Sequence, residues 1–347
     1  MVTRIWGWAT DGFTCDWYRL HLPLRELIRA YPGEYEYRVE LGPPPVEWLY
    51  GEGRRIVIGQ RIAGYNPTWH GLCDNPDVLA VYDLDDDLID VDPANTVPYS
   101  IYQPIRQATL DNIGRADLVT VSTPRLADKV ANTLDTEGGY FPPVAVLPNC
   151  MDPVYLRPPR PAPAPGQPLV IGWAGSPFHA QDWPGVAEQL AEFARHAPRK
   201  VEFVAMGADY MSPHVSTRWG GGLVPIGEHL QRLDGCGMHI GLAPLNDSAF
   251  NGSKSWCKAL EYATRGIVPV CSPRGQYPEW AWPDRMEYTD AAAIVTAGLP
   301  WGAMLAGLCD DDLRAQYAAT AHWRAGGLTI DKLIHCWHDT YQEGLNQ

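Results

Sequence analysis

Short runs of β-branched and apolar residues recur along the chain, and each is followed by a polar or helical stretch. This alternation limits the possible fold classes more than any other pattern in the sequence. The runs lack a clear two-residue alternation of apolar and polar positions, which is typical of parallel strands covered by helices on both faces. Six runs lie in the first half, at 3–8, 35–41, 54–59, 78–83, 117–122 and 144–149, and four follow at 169–175, 200–207, 237–245 and 266–272.

A proline-rich segment, PPRPAPAPGQP at 158–168, separates the two groups of strands. Its composition predicts an extended linker or strap. The chain length of 347 residues also favours about two domains. The sequence therefore predicts two doubly wound α/β domains, at 1–155 and 169–325, joined by a linker at 156–168. Because ligands of such sheets bind outside the carboxyl ends of the strands, we expect the site in a cleft between the domains.

The charge balance argues against a protein that binds nucleic acid or an anionic membrane, because 27 Lys and Arg face 41 Asp and Glu. Eight cysteines without a C-x-x-C pair argue against a metal framework and favour a reducing, cytoplasmic location. We expect no secretory signal, since no cationic segment precedes an apolar run near the start. The weakly polar segment 291–308 is interrupted by Gly-Leu-Pro-Trp-Gly, so it predicts two short helices around a turn rather than a membrane span.

Two familiar nucleotide-binding fingerprints are missing. The G-x-G-x-x-G pattern follows the first strand of neither half, and GWAGSP supplies only Gly172 and Gly175. The NGSKS stretch lacks the upstream glycine of a P-loop. Neither a nicotinamide-dependent dehydrogenase nor a P-loop NTPase is supported.

The segment AFNGSKSWCKALEYATRGIVPVC, at 249–271, predicts a helix that begins among lysines. If Ser255 caps this helix, Lys258 is its third residue, and a core face collects Trp256, Ala259, Leu260 and Ala263. A helix start is already partly positive, so Lys254 and Lys258 suit it best when it binds an anion such as a phosphate. Glu261, one turn further, suits sugar hydroxyls. The alternative is a solvated ion pair between Lys258 and Glu261, worth about 0.3 kcal/mol.

This segment resembles the donor-binding motif of retaining GT-B glycosyltransferases, the family-4 or group-1 class. It is most similar to a bacterial and phage branch with the pattern F-N-x-x-K-S-x-x-K-x-x-E-Y. The resemblance implies two Rossmann-like domains facing a cleft, with a C-terminal helix at 326–347 that packs back on the N-terminal domain. It also places Glu261 on the acid that contacts the ribose. The acid that contacts the donor sugar falls on Ser253, which leaves Lys254 or Asn251 as alternative contacts.

Other segments resemble the same class in the same order along the chain. DWYRLHLPLREL, at 16–27, is similar to the loop after the first strand and would direct Tyr18 and Arg19 toward the acceptor. IGWAGSPFHAQDW, at 171–183, is similar to the first strand and loop of the donor domain. The resemblance thus implies a donor-binding set of Gly175, Ser176, His179, Asn251, Ser253, Ser255 and Glu261.

An acidic loop within VYDLDDDLIDVDPAN, at 81–95, resembles that of the same branch and carries Asp83, Asp85, Asp86 and Asp87. Three interpretations stay open: contact with acceptor or sugar hydroxyls, a Mg²⁺ or Mn²⁺ site, and structural roles that include a pair with Arg19. The resembled class usually works without a metal, so we expect no metal or cofactor. We assign Asp85 and Asp86 to catalysis and Asp87 to the acceptor side.

The function expected from these features is transfer of a hexose or pentose from a nucleotide-diphosphate donor to an acceptor hydroxyl, with retention. Lys254 and Lys258 would stabilise the charge that develops on the departing diphosphate. Alternatives are a nucleotide-sugar epimerase of the same fold and a non-catalytic nucleotide-sugar-binding module. The acceptor could be a glycan, a protein, a lipid or a modified DNA base, in the cytoplasm of a bacterium or a phage-infected host. The base and sugar of the donor and the oligomeric state stay open.

Overall fold

The computed structural model describes residues 2–10, 12, 14–136, 141–222, 224–282 and 291–347, with Thr136 described in its backbone only. The chain divides into two compact units. Unit 1 comprises Met1–Cys150, Ser253–Ser255 and Ile330–Gln347. Unit 2 comprises Met151–Gly252 and Trp256–Thr329, and therefore contains the whole proline-rich segment.

Unit 1 is built on a parallel sheet with the strand order β2-β1-β3-β4-β5-β6. Its strands are β1 (Thr3–Ala9), β2 (Tyr35–Leu41), β3 (Arg55–Gln60), β4 (Val78–Leu84), β5 (Leu118–Val121) and β6 (Val144–Val146). Its first helices are α1 (Thr14–Asp16), α2 (Leu22–Ala30), α3 (Pro67–Cys73), α4 (Thr96–Tyr102), α5 (Arg106–Arg115) and α6 (Pro124–Thr136). A π-helical turn, Trp17–His21, joins α1 to α2, and 3-10 turns occur at Val46–Leu49 and Gln103–Ile105.

The central strands of unit 1 explain why the sequence shows no apolar–polar alternation. Every residue of β3 and β4 is buried. Ile56 and Ile58 lie in one apolar cluster, while Val57 lies in another, so successive side chains of β3 fill different cores. The parallel register pairs Gln60 with Asp83, which brings the carboxyl ends of β3 and β4 together.

Unit 2 is built on a second six-stranded parallel sheet, with the order β12-β11-β10-β7-β8-β9. Its strands are β7 (Leu169–Gly175), β8 (Val201–Gly207), β9 (Thr217–Trp219), β10 (Ile240–Ala243), β11 (Val268–Cys271) and β12 (Ala293–Ile294). Its helices are α7 (Val186–His196), α8 (Ile226–Gly235), α9 (Ala249–Gly252), α10 (Cys257–Thr264), α11 (Tyr277–Ala281), α12 (Trp301–Gly307) and α13 (Asp311–Gly327). Short 3-10 turns occur at Pro153–Tyr155 and Pro177–Asp182. Two parallel sheets with flanking helices confirm the predicted fold class.

The last helix, α14 (Ile330–Leu345), belongs to unit 1, which confirms the expected return of the C-terminal helix. Trp337 and Tyr341 are buried in the same apolar cluster as the strand residues Ile5 and Ile56. His338 stacks on Tyr31, with 3.9 Å between the ring centroids. These contacts give the amphipathic face of α14 its partner within unit 1.

The proline-rich segment is a strap held along unit 2. The backbone N–H of Arg157 donates to the carbonyl of Thr264 at 2.7 Å, and that of Arg160 donates to Gly266 at 3.0 Å. Gly266 has a φ of 66°, and a Cβ there would lie 2.2 Å from the carbonyl oxygen of Pro158. The strap therefore approaches the end of α10 so closely that only glycine fits at this position.

The prediction of two helices at 291–308 is wrong in its first half. Ala293 and Ile294 form β12 and pair with Val270 and Cys271 of β11, and only the second half forms a helix, α12. Pairing with the sheet edge outweighs the helix propensity of the alanines, because propensity is a weak preference that tertiary contacts override. No helix in the described part of the chain is both long enough and apolar enough to cross a membrane.

Candidate functional site

The start of α10 carries the first part of the candidate site. Trp256, not Ser255, is the N-cap residue, and α10 begins at Cys257. The predicted Ser255 cap is therefore wrong, because the Ser255 hydroxyl instead accepts a hydrogen bond from Asn149 Nδ2 at 2.9 Å in unit 1. Lys258 is consequently the second residue of the helix rather than the third. The predicted core face is confirmed, since Trp256, Ala259, Leu260 and Ala263 are all buried.

Lys258 and Glu261 form a partly buried pair, one turn apart on α10. The Lys258 ammonium lies 3.6 Å from Glu261 Oε2, and His229 Nε2 lies 3.4 Å from the same oxygen. Glu261 is only 4% exposed. The alternative of a solvated ion pair is therefore wrong, because a solvated carboxylate would be far more exposed. The Glu261 carboxylate instead lies buried next to a lysine and a histidine.

His229 was not among the predicted site residues. It is the fourth residue of α8, and its position along the sequence gives no sign of Glu261, which lies 32 residues later on another helix. Only the packing of α8 and α10 within unit 2 brings the imidazole to the carboxylate. An ordinary histidine in an amphipathic helix carries no motif that could have identified this contact.

Trp173, at the end of β7, connects this pair with a second group of residues. The Lys258 ammonium lies 5.3 Å from the centre of the Trp173 ring, a distance typical of a cation–π contact. The His179 ring meets Trp173 edge-on, with 5.2 Å between centroids. Lys258 and His179 therefore both contact one buried ring at the carboxyl end of a central strand, where parallel sheets bind their ligands.

His179 is held by a buried aspartate that the sequence did not single out. His179 Nδ1 lies 2.8 Å from Asp182 Oδ2. The other oxygen, Asp182 Oδ1, accepts from the Asn251 amide at 2.6 Å and from the backbone N–H of Asn246 at 2.9 Å. Asn251 is buried, and its amide also contacts the Asn246 side chain. This geometry gives the motif asparagine a role in holding the loop that carries His179.

The glycines at the end of β7 are required by packing inside unit 2. A Cβ at Gly175 would lie 2.2 Å from the Trp173 ring, and one at Gly172 would lie 2.4 Å from the Met238 sulfur. Neither position therefore accepts a side chain without displacing a core residue. Ser176 follows Gly175 directly and precedes the 3-10 turn that carries His179, so all three predicted residues lie at one strand end.

In unit 1 the predicted acceptor-side residues Tyr18 and Arg19 are buried. The Arg19 guanidinium donates to Asp83 through Nη2 at 2.8 Å, to Asn149 Oδ1 at 3.1 Å and to the carbonyl of Leu147. Burial by itself lowers the pKa of Arg19, but Asp83, with smaller contributions from Asp85 and Tyr341, raises the pKa overall. This burial argues against a direct contact between Arg19 and an acceptor, and the predicted pair between Arg19 and the acidic loop is present.

The carboxylates of the acidic loop have different hydrogen-bond and ion-pair partners. Asp85 pairs with Arg61, and Asp86 pairs with Lys254, with 2.8 Å between Nζ and Oδ2. Asp87 accepts from the backbone N–H groups of Ile89 and Asp90, at 3.1 and 2.9 Å. Burial by itself raises the pKa of Asp85, but Arg61, together with Arg19 and Cys15, lowers the pKa overall. Burial raises the pKa of Asp87.

The aspartates of this loop are not arranged as a set of metal ligands. Within the residues that the structure describes, no group of three or more His, Cys, Asp or Glu side chains is placed to hold a metal ion. The four predicted aspartates are instead each engaged by arginine, lysine or backbone N–H groups, which differs from the convergent oxygen cage that a hard divalent cation requires.

Lys254 and its two serine neighbours belong to unit 1. The Thr123 hydroxyl donates to the carbonyl of Ser253 at 3.1 Å, and Asn149 donates to Ser255. Ser253, which takes the place of an expected acid, is buried. Lys254 and Lys258, which the sequence placed at one helix start, thus have different partners: Lys254 contacts Asp86 in unit 1, and Lys258 contacts Glu261 in unit 2.

The sequence matches no protein-family model and no curated protein. In fold, the chain is similar to HepE from Anabaena, solved in complex with UDP and glucose, with 12% identity, a TM-score of 0.59, and coverage of 99% of this chain and 100% of that chain. It is also similar to sucrose-phosphate synthase from Thermosynechococcus elongatus, with 12% identity, a TM-score of 0.60, and coverage of 99% of both chains.

The pneumococcal O-GlcNAc transferase GtfA, solved in complex with UDP and GlcNAc, has 12% identity to this chain and a TM-score of 0.54. That match covers 84% of this chain, which spans 57% of the length of the pneumococcal protein. At such low identity these likenesses establish architecture alone. The paired six-stranded parallel sheets and the full-length match to HepE and sucrose-phosphate synthase show that this chain has the GT-B fold.

Proposed function

We propose that this protein is a glycosyltransferase that moves a sugar from a nucleotide-diphosphate donor to an acceptor hydroxyl. The observation that carries the proposal is the Lys258–Glu261 pair on α10, because it offers a cation for phosphate and a buried carboxylate for sugar hydroxyls. The GT-B fold supports it, and two proteins of similar fold were solved with UDP. Uridine diphosphate is therefore the first donor nucleotide to test.

In this proposal unit 2 binds the nucleotide diphosphate. Lys258 and the positive end of the α10 dipole bind phosphate oxygens, and Glu261 accepts hydrogen bonds from the ribose hydroxyls. His229 orients Glu261 through their 3.4 Å contact. Gly175, Ser176 and His179, at the end of β7, contact the diphosphate, while Asn251 acts through the loop that carries His179.

Unit 1 supplies the remaining proposed roles. Lys254 is a second cation for the leaving diphosphate, with Asp86 as its partner in the structure. Asp85 and Asp86 act on hydroxyl groups of the reacting sugars, and Asp87 shapes the loop through its backbone contacts. Ser253 and Ser255 hold Lys254 in place through Thr123 and Asn149. The acceptor class remains one of the four predicted, and the cytoplasmic location remains a prediction from cysteine usage.

Retention of the anomeric configuration and transfer of a hexose or pentose extend the proposal further. Both rest on the resemblance of the 249–271 motif to the retaining class. Under retention, the departing diphosphate assists the attack on the same face of the sugar, and the protein's contribution is mainly electrostatic. Proton NMR of the product anomer formed from an α-linked donor measures this directly, with an α product expected and a β product contradicting retention.

Product analysis distinguishes the proposal from its two rivals. The protein is incubated with UDP-glucose or UDP-GlcNAc, alone and with candidate acceptors, and the products are separated by chromatography. A transferase releases UDP and, when the acceptor is present, modifies it. An epimerase converts one UDP-sugar into another without releasing UDP. A non-catalytic module, which the serine at position 253 favours slightly, binds a nucleotide sugar and leaves it unchanged.

A further inference from the structure

Asp182 and His179 form a hydrogen-bonded pair near the end of β7. The carboxylate of Asp182 is buried, while the His179 side chain is 18% exposed. Because an ionised carboxylate only accepts hydrogen bonds, the 2.8 Å contact places the proton on His179 Nδ1. The contact therefore selects one ring orientation, with Nε2 on the opposite side of the imidazole from Asp182.

The orientation of Asp182 is itself set by the loop before α9 and by α9. The amide of Asn251 and the backbone N–H of Asn246 both donate to Asp182 Oδ1. These bonds occupy one oxygen and leave the other directed at His179. A carboxylate in hydrogen-bond contact with an imidazole favours the protonated form of the ring.

Other titratable groups face the same dyad. Tyr210 and Tyr277 both lie close enough to Asp182 to feel its charge, but burial is the larger cause that raises the pKa of each phenol. Both tyrosines therefore stay neutral where a histidine titrates. Lys258, on the face of Trp173, opposes a second positive charge on His179. Asp182 is the carboxylate in direct contact with the His179 ring, at 2.8 Å.

We propose that Asp182 is a positioning residue that holds His179 as an imidazolium, oriented so that its Nε2–H donates a hydrogen bond to a phosphate oxygen of the nucleotide-diphosphate donor. This inference rests on the proposed function. It assigns a role to Asp182 that no motif in the sequence indicates. It also gives Asn251 a defined task, which is to fix the carboxylate that charges the histidine.

If His179 binds as an imidazolium, affinity for the diphosphate should depend on pH in a defined direction. An imidazolium next to an anion binds it more strongly than a neutral imidazole does. Affinity for the diphosphate should therefore be highest below the pKa of His179 and should fall as the pH rises through that value. Replacing Asp182 by asparagine keeps a hydrogen-bond acceptor but removes the charge, so the fall in affinity should move to lower pH.

The test uses the full-length protein as wild type, Asp182→Asn, His179→Gln and the matched control Glu192→Gln. Glu192 and His196 form an exposed pair on α7, so the control removes a carboxylate beside a different histidine. Imidazole NMR titrations measure the His179 pKa, with His179→Gln assigning the signal. Calorimetry measures the affinity for UDP between pH 5.5 and 8.5, pH values chosen to bracket an ordinary histidine pKa of about 6.5.

We expect the NMR titration of His179 to move to lower pH in Asp182→Asn, because the variant lacks the carboxylate that contacts the ring. We expect UDP affinity at low pH to drop about tenfold in His179→Gln, with loss of the pH dependence, while Glu192→Gln matches the wild type. An unchanged His179 pKa in a folded Asp182→Asn protein overturns the inference. So does a His179→Gln protein that binds UDP with wild-type affinity and pH dependence, and this result leaves the proposed function intact. Failure of the wild type to bind UDP, GDP or ADP at every pH overturns both.

Discussion

Two contacts set the position of Lys258, the cation that we propose binds the phosphates of the donor. Its ammonium lies between the face of Trp173 and the Glu261 carboxylate, and its side chain is only partly exposed. A lysine in this setting loses little side-chain freedom on binding a phosphate, because its orientation is already set. The geometry thus supports a role in stabilising the charge of the leaving diphosphate.

Replacing Lys258 by alanine should reduce turnover of the nucleotide sugar by about tenfold or more, because a cation directed at developing charge contributes chiefly in the transition state. Release of UDP from UDP-glucose or UDP-GlcNAc measures the effect. The matched control is Lys200→Ala, which removes the same charge from an exposed position. Wild-type turnover in the Lys258 variant would contradict the assignment, as would an equal loss in the control.

Residues of the candidate site differ in how far the sequence could predict them. The Lys258–Glu261 contact follows from three-residue spacing on a helix, so a local pattern was enough. His229 and Asp182 reach the site through contacts between α8 and α10 and between the turn after β7 and α9. Such pairs arise from tertiary packing, and one sequence contains no local periodicity that predicts them.

The sequence likewise predicts some of the helices and strands and misses others. The predicted runs at 35–41 and 169–175 coincide with β2 and β7, because β-branched runs fit the buried, pleated environment of a sheet. The edge strands β9 and β12 were missed, since strands of three and two residues are too short to show a pattern. The start of α10 was misplaced because Asn149 engages the serine that looked like its cap.

The proline strap offers a matched comparison between two glycines. Gly237 and Gly266 each follow a helix by two residues, with φ values of 67° and 66°. A Cβ at Gly237 meets nothing within 4 Å, whereas one at Gly266 lies 2.2 Å from the strap. Both are helix-ending glycines in the left-handed region, so they differ in surroundings rather than in backbone conformation.

We expect Gly237→Ala to lower the free energy of unfolding by about 1 kcal/mol, through backbone strain alone. Gly266→Ala should cost more, by about a further 1–3 kcal/mol, because the Pro158 carbonyl must also move. Urea unfolding followed by circular dichroism measures the two variants. Equal destabilisation of both would show that the strap does not press on the end of α10.

At the scale of the whole molecule, the sequence was sufficient to predict the fold class. Apolar runs without alternation indicated parallel sheets, and the restart of the pattern after the proline-rich segment indicated a second sheet. Membership of the units was harder to predict. Ser253–Ser255 belong to unit 1 although they follow most of unit 2 in the chain, and only long-range packing determines this. The return of Ile330–Gln347 to unit 1 was implied by the family resemblance and not by any local pattern.

His239 links stability to acid conditions. Its Nδ1 accepts a hydrogen bond from the backbone N–H of Val170 at 3.2 Å. Protonation of Nδ1 would break this hydrogen bond, because two N–H donors would then face each other. Burial, with help from nearby arginines such as Arg314, lowers the pKa of His239 to about 4. An unfolded histidine has a pKa of about 6.5, so the unfolded chain binds more protons between these values. The contribution of His239 to stability is therefore present above about pH 6.5 and is lost as the pH falls toward 4.

We expect the melting temperature of the wild type to fall more steeply between pH 6.5 and 4 than that of His239→Asn, with the pH limits taken from the pKa values of the unfolded and folded histidine. Asparagine keeps an acceptor for Val170 but does not titrate. His196→Asn, at an exposed position on α7, serves as the control and should follow the wild type. Parallel curves for wild type and His239→Asn would contradict the proposed coupling.

In the proposed function, unit 2 binds a nucleoside diphosphate, with Lys258 on the phosphates and Glu261 on the ribose. Calorimetric titration of the wild type and Glu261→Gln with UDP and with inorganic pyrophosphate tests it most directly, because pyrophosphate lacks the ribose. We expect Glu261→Gln to weaken UDP binding by about tenfold and to leave pyrophosphate binding unchanged. Equal UDP affinity in the two proteins, or no binding of UDP, GDP or ADP by the wild type, would contradict it.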